Sequence, residues 1–474
     1  MHIGHLNRSY FFADHVLVAM MFLALCCGCN SAQETEGDIT AGVWGGSDGP
    51  DEFYWELWQD SLGLGGVIHT VRGGKKRTEL PIDRVIWQPP ELETHMDATG
   101  VVYRGRVDFD RGRISGRLFH GEAEGPEMDL RLTDPDKVAG LRARPPDAGD
   151  YTYTQPPTTD DGWMTADCQE VGLSHATLTD LVNAICAGDA GVIHSLLIVI
   201  DGRLVVEEYF HGYGRNDLHR VASVTKSVSS LLVGLAIDQG KITSEDASVL
   251  SFFPAFEQPA SSRWRSQSLR HLLTMSMGLD WGPGEGPDGT GPGRFPRVLE
   301  REVIHEPGTH WAYHSANINL LSAVIKEATG QHADVFAEEY LFRPLRIAAC
   351  EWADEDGYCL LEGGLRLRPR DMAKLGMLLR DEGRWEGRQV VSADWIRRSI
   401  TPHIDASGPR KYGYLWWVGE ILGRDGMQPF VSASGLGGQY IAWFPERDMV
   451  LVVTGGNDDN GKQLAIAEVI GPYL

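Results

Sequence analysis

Basic charge is scarce in this chain: 43 lysines and arginines stand against 66 aspartates and glutamates, a formal net charge of −23 over 474 residues. That balance excludes a general affinity for nucleic acid or for an anionic membrane surface, both of which select basic patches. Small molecules are the expected partners. Cysteine is sparse as well: seven in all, and only Cys168, Cys186, Cys350 and Cys359 beyond the first 29 residues. No Cys-x-x-Cys pair survives among those four, so a zinc site is the weaker reading. His305-Glu306 and His310 do not supply one either, because the HExxH motif needs its histidines four apart on a helix, and Pro307 and Gly308 intervene here. No metal and no cofactor is expected.

Long apolar runs are also few. Val16–Cys27 is unbroken but falls short of the ~20 residues a spanning helix needs. It fits the apolar core of an export signal over residues 1–29. Leu25-Cys26-Cys27-Gly28-Cys29-Asn30 resembles a bacterial lipoprotein processing site, which makes Cys29 the lipid-bearing N-terminus and the anchor the sole membrane contact. A plain secretory signal is the alternative. Either way the expected location is outside the cytoplasm, in the periplasm or on the outer membrane of a bacterium. An even number of cysteines in an exported chain permits disulfides. Proximity favours Cys168 with Cys186 and Cys350 with Cys359, and the pairing stays open.

The length suggests two or three domains of about 150 residues, and 42% hydrophobic with 23% charged residues is a globular composition. Residues 30–40 read as a polar linker. Residues 41–144 lack helical periodicity and are broken repeatedly by Gly, Pro and Asp. Val101–Phe109, Ile114–Phe119 and Met128–Thr133 are strand candidates, the last with Met128, Leu130 and Leu132 on one face. A small all-β N-terminal domain follows, a sheet or barrel with an accessory role. Within it Gly45-Gly46-Ser47-Asp48-Gly49 matches the nucleophile-elbow pattern G-x-S-x-G, but Pro50 and Asp51 follow where a helix is required, so Ser47 marks a turn. Pro145, Pro146, Pro156 and Pro157 mark residues 145–162 as a second linker, and residues 163–474 form the main domain.

There the texture changes. Ser174 can cap a helix carrying Leu178, Leu181, Val182 and Ile185, closed near Gly188. Asp201-Gly202 between two apolar runs predicts a hairpin, and a second hairpin is expected around Pro445–Asp448. Between them Val224, Val228, Leu231, Leu232 and Leu235 mark the buried stripe of a helix that ends at Gly240. Ser223 and Lys226 stand three apart at its start, on one face and about one turn from each other. A hydroxyl and an amine so placed can act as nucleophile and proton acceptor, with the helix N-terminus favouring negative charge. Trp281–Phe295 reads as a glycine- and proline-rich loop, either a rim over a site or a solvated connection. Tyr313 precedes the next apolar helix, which Gly330 closes. Ala433-Ser434-Gly435-Leu436-Gly437-Gly438 lets backbone approach a ligand closely.

Taken in order, these stretches resemble the serine β-lactamase and penicillin-binding-protein superfamily, closest in texture to class C-like esterases and 6-aminohexanoate-dimer hydrolases. The likeness runs from about Tyr151 to the C-terminus. It implies an α+β fold, an antiparallel sheet flanked by helices plus a helical subdomain. Ser223-Val224-Thr225-Lys226 resembles the first motif and implies Ser223 as nucleophile and Lys226 as base. Tyr313-His314-Ser315 falls where the family has Tyr-x-Asn, which implies Tyr313 in proton transfer and puts Ser315 at the asparagine position. Ala433-Ser434-Gly435 falls at Lys-Thr-Gly, on the strand bordering the cleft, with Leu436 implied as an oxyanion donor. The stretches His271–Leu279 and Gly363-Gly364-Leu365 to Arg370-Asp371-Met372 are similar too. Ala433 replaces a lysine that helps penicillin-recognising members bind a carboxylate. The expected function is therefore an exported hydrolase cleaving an ester or amide of a small acyl substrate through a Ser223 acyl-enzyme. β-Lactamase or D-Ala peptidase activity is the second enzyme reading, and a non-catalytic penicillin-binding-like sensor the rival from another class.

Overall fold

The computed structural model describes residues 42–457 apart from 61–62, 98, 140, 145–148, 190, 255, 257–261, 282–293 and 425. The export signal, Cys29, the 30–40 linker and most of the Trp281–Phe295 loop lie outside the described residues. No helix among the described residues is long and apolar enough to cross a membrane.

Nine strands come first: β1 (Gly42–Asp48), β2 (Asp51–Asp60), β3 (Gly63–Arg72), β4 (Lys75–Ile82), β5 (Arg84–Gln88), β6 (Glu91–Met96), β7 (Val101–Asp108), β8 (Arg113–His120) and β9 (Ala123–Thr133). They make one antiparallel sheet in the order β4-β3-β2-β1-β9-β8-β7-β6-β5. Its edge strands, β4 and β5, are consecutive in the chain, so the sheet curls on itself. Trp55 and Tyr103 fill the concave side edge to face, 4.9 Å between centroids. Gly105 and Gly116, paired across β7 and β8, make room for Tyr103: a Cβ on either would lie within 2.7 Å of its ring or hydroxyl. Ser47 is an exposed residue of β1, paired with Glu52 just before the Gly49-Pro50 turn, and β2 rather than a helix follows. One expectation fails here: Leu130 is fully buried but Leu132 is 54% exposed, although it stands opposite the buried Trp44, one residue before β9 ends.

The second sheet has eight strands. Six matter for the site: β10 (Ile193–Ile200), β11 (Arg203–Tyr209), β12 (Trp417–Gly423), β13 (Gly426–Gly435), β14 (Gln439–Phe444) and β15 (Met449–Gly455), ordered β11-β10-β15-β14-β13-β12 and all antiparallel. The Asp201-Gly202 hairpin joins β10 to β11, and the Pro445–Asp448 turn joins β14 to β15. Pairing of β10 with β15, Leu196 opposite Val453, closes early chain onto late chain.

Helix α1 (His175–Ala187) covers one face of this sheet. Ser174 caps it by accepting from Thr177 N–H, and Gly188 ends it at φ +85°. The other face carries α2 (Val224–Asp238) and α5 (Pro369–Arg380), with α3 (Ser315–Ile318) and α4 (Leu320–Thr329) packed beyond. Helix α2 departs from the one-stripe expectation. Every residue from Val224 to Ala236 is buried, because the sheet lies on one side while α4 and the Ala393–Ile400 helix close the others. Gly234 has no Cβ to meet Trp395, whose indole N–H donates to Ser230 O (3.0 Å).

The disulfides expected from proximity are not formed: all four cysteines are free thiols. Cys168 is buried at a turn where its own N–H donates to the Tyr153 hydroxyl, while Cys186 is exposed on α1. Cys359 Sγ lies 3.5 Å from His332 Nδ1 instead of on Cys350. Burial pushes the Cys350 and Cys359 thiols up to about 11 and about 12, well away from the reactive thiolate.

Within the expected 145–162 linker, Tyr151 and Tyr153 are tied to β11. Tyr151 donates to Glu208 (2.7 Å) and Tyr153 to Val205 O (2.8 Å). Arg370, 2% exposed, holds the other end through Thr159 Oγ1 (2.6 Å), Pro157 O (3.1 Å) and Asp161 (3.1 Å), and lies 3.6 Å from the buried Glu207. Removing one partner of such a buried network leaves polar groups unmatched. Arg370→Ala is expected to lower unfolding free energy by roughly 3 kcal/mol in a denaturant titration; an unchanged midpoint would show that Arg370 does not pin this segment.

Candidate active site

Ser223 is the N-cap residue of α2, yet its side chain makes no capping hydrogen bond. Its hydroxyl is left for another partner. The turn before it is held tightly. Ala222 sits at φ +47°, a left-handed conformation that costs a non-glycine residue about 1–3 kcal/mol and persists only when its surroundings enforce it. The enforcement is visible: Val221 N–H donates to Leu365 O (3.0 Å), Leu365 N–H to Thr225 Oγ1 (3.3 Å), and Thr225 Oγ1 to Ala222 O (2.6 Å). The Gly363-Gly364-Leu365 stretch is thus a brace for the start of α2.

Lys226, one turn on, is 1% exposed. Its Nζ lies 2.7 Å from Ser223 Oγ and donates to Glu362 O at 2.5 Å. Those two partners fix the amine beside the hydroxyl, and neither is a carboxylate. Nothing in the sequence pattern marks Glu362, because it contributes its backbone carbonyl and not its side chain. Tyr313 stands immediately before α3. Its segment is tied to the His271–Leu279 stretch by Ala312 N–H donating to Met275 O (2.9 Å). The Tyr313 ring lies over Lys226, 5.2 Å from Nζ to centroid, and stacks on Trp417 at 5.9 Å. Trp311 and Tyr412 extend this aromatic wall, and the Arg410 guanidinium covers Trp417 at 4.4 Å. Ser315 is buried in the first turn of α3, with no side-chain contact to Ser223 or Lys226 observed.

On the opposite side runs β13. A Cβ on Gly435 would lie 2.4 Å from Val221 O and 3.0 Å from Ser223 N, so only glycine lets the strand sit this close. Ser434 is half-buried and pairs with Tyr440. Ala433 is fully buried among apolar side chains, and no cation takes its place there. Leu436 follows, 39% exposed. Among the described residues neither the Ser223 nor the Leu436 backbone N–H donates to another group, which leaves both for a ligand oxygen. Gln439 holds the Leu436 loop in place: its Nε2 donates to Leu436 O (3.2 Å) and Gly455 O (2.7 Å), and its Oε1 accepts from Gly455 N–H (3.2 Å). That clamp also had no signal in the sequence.

The structure therefore gathers Ser223, Lys226, Tyr313, Gly435 and Leu436 around one turn of helix. Two clusters of possible metal ligands, Asp167 with Cys168 and His175 and His332 with Asp334 and Cys359, share no residue with it.

Residues 183–467 match the family model described as Beta-lactamase. The 6-aminohexanoate-dimer hydrolase of Paenarthrobacter ureafaciens is 26% identical over 290 residues, 54% of this chain and 70% of that one. The D-aminopeptidase of Gluconobacter oxydans is 24% identical over 336 residues, 63% of this chain and 62% of that one. Among solved structures, EstCE1, a hydrolase with promiscuous acyltransferase activity, superposes with a TM-score of 0.52 at 18% identity, covering 64% of this chain and 99% of that one. The nine-stranded sheet lies outside the residues that the family model matches.

Gly435→Ala tests the close approach of β13. Overpacking against backbone that cannot move away is expected to cost about 1–3 kcal/mol of stability, read from the denaturant midpoint; no loss would mean that β13 does not press on Ser223.

Proposed function

This chain belongs to the Beta-lactamase family, a membership that makes it a hydrolase of the β-lactamase fold, and from that premise we propose that it cleaves an ester or amide bond through an acyl-enzyme on Ser223. The observation that carries the reading is the 2.7 Å contact between Lys226 Nζ and Ser223 Oγ, together with a hydroxyl excused from capping. A serine hydroxyl is a poor nucleophile until a neighbour takes its proton.

In the proposed sequence, Ser223 Oγ bonds to the substrate carbonyl carbon as its proton passes to Lys226 Nζ. The carbonyl oxygen becomes an oxyanion, met by the N–H groups of Ser223 and Leu436; losing one such donor typically costs ~3 kcal/mol of barrier. The intermediate collapses, the bond to the leaving group breaks, and the proton on Lys226 reaches that group with Tyr313 beside it as relay. Water then adds to the acyl carbon, gives a proton back through the same groups, and releases the acid and free Ser223 Oγ–H. Trp417, Trp311 and Tyr313 offer an apolar wall to the acyl or leaving group.

β-Lactam or D-alanyl substrates are the less favoured class, since the residue at the expected lysine position is the buried Ala433. A sensor reading gains no support from a nucleophile, a base and a free N–H pair at one place.

Intact-mass measurement after treatment with a fluorophosphonate is the test. Wild type is expected to gain one adduct, Ser223→Ala none, and Lys226→Met to label about 10²–10⁴-fold more slowly, the usual worth of general-base assistance. Labelling that survives Ser223→Ala would sink the assignment.

A further inference from the structure

A cavity of about 440 Å³ opens beside Leu436, where the β3–β4 hairpin meets the ends of β10, β14 and β15. Its size suits an amino-acid-sized fragment. Its wall carries five cations, Arg72, Lys75, Arg77, Arg220 and Arg366, against two carboxylates, Asp217 and Glu351. In a chain of net charge −23 that local reversal of sign is the feature to explain. Three of the cations are already matched: Arg72 with Asp51, Lys75 with Asp217, and Arg366 with Glu351. Among the described residues Arg77 and Arg220 make no ion pair with a carboxylate, although the charge of Arg77 also acts on Asp51.

Two buried histidines stand behind this wall. His194 is 1% exposed and lines the cavity. His219 Nδ1 lies 2.8 Å from Arg220 O, and a carbonyl only accepts, so Nδ1 carries the His219 proton. Burial pushes His219 down to about 4 and His194 well below its ordinary value, helped by the charge of Arg77 in both cases, so both rings are neutral at pH 7. His219 Nε2 therefore accepts from His194 Nδ1–H across 2.7 Å. His194 Nε2 is left as a bare, buried acceptor with no partner among the described residues. An unmatched buried acceptor costs about 1–3 kcal/mol.

The cavity adjoins the reacting centre. Leu436, whose N–H faces the proposed oxyanion, is part of its wall, and Arg220 lies three residues before Ser223. The hairpin that supplies Arg77 is seated on the main sheet: Gly456, having no side chain, lets the Arg77 carbonyl approach to where its Cβ would be, 1.7 Å away.

Resting on the acyl-enzyme reading above, we propose that this cavity is the subsite for a carboxylate at the far end of the substrate, held between the guanidinium groups of Arg77 and Arg220. The cation missing at Ala433 is thereby supplied from another direction, partly by a sheet that the family match does not include. A guanidinium matches a carboxylate with two parallel hydrogen bonds.

The test uses mono-p-nitrophenyl esters of succinate, glutarate, adipate and suberate against the same esters with the free carboxylate methylated. Wild type is expected to prefer at least one carboxylate form by about tenfold or more in kcat/KM, the worth of a hydrogen bond to a charged group. The preference should shrink with added salt and collapse toward one in Arg77→Gln and in Arg220→Gln, the latter at an exposed residue. Equal rates for the two forms in wild type, or a preference that both variants keep, would overturn the subsite. Calorimetry of Ser223→Ala with the free dicarboxylates separates this proposal from the catalytic one. Binding that Arg77→Gln abolishes supports the subsite even if no ester is turned over, and no binding of any of the four overturns it even if the esters are hydrolysed. Binding of inorganic phosphate as tight as that of the dicarboxylates would also overturn it, as the mark of a general anion site.

Discussion

Lys226 Nζ is held between two oxygens, Ser223 Oγ and the carbonyl of Glu362, and the architecture around it can be read as what that placement requires. A polar group this deep must be satisfied or it costs several kcal/mol. One partner comes from the same helical turn, the other from a segment 136 residues later. Bringing them together requires the Leu361–Leu365 stretch to lie along the start of α2, which the Thr225, Ser229 and Val221 hydrogen bonds secure. It also requires α2 to run through the centre of the domain, buried on every side and walled by a sheet whose glycine at 435 approaches the Ser223 nitrogen. The left-handed Ala222 is the local cost of that convergence.

Rigidity of this kind leaves substrate choice to the borders. On one side the stacked rings of Tyr313 and Trp417 make an apolar boundary. On the other, the Leu436 loop is clamped by Gln439 and opens onto a cationic cavity. The curled N-terminal sheet meets that border at the Lys75–Asp217 ion pair and the Arg77–Gly456 approach, and the segment after it through His211, hydrogen-bonded to Ala143 O and Leu141 O. In the proposed reading, chemistry and recognition fall to parts with different packing, a deep helix for the first and surface junctions for the second.

Local signals in the sequence were reliable wherever a residue's job is done within its own segment. Ser174 and Gly188 bracket α1 as capping chemistry requires, Asp201-Gly202 turns a hairpin, and the Ser-x-x-Lys spacing puts hydroxyl and amine in contact. Tyr313 and Gly435 were legible through order along the chain, since the resemblance ties them to Ser223. What was not legible depends on contacts between distant segments. Glu362 acts through its backbone, so its side-chain identity carries no signal. Arg370 and Gln439 look like surface residues until burial is known. The cysteine pairs followed from proximity along the chain, which says nothing of where the sulfurs point. Arg77 belongs to a segment with no chemistry of its own and acquires a candidate role only by docking against Gly456.

The most direct measurement of the central claim is rapid-quench peptide mapping during turnover of a slow p-nitrophenyl ester. A burst of nitrophenolate is expected with the acyl mass on the peptide containing Ser223, and loss of both when Lys226 is replaced by Met. A burst with the acyl group on any other residue, or steady turnover with no acylated Ser223 and no burst, would contradict it.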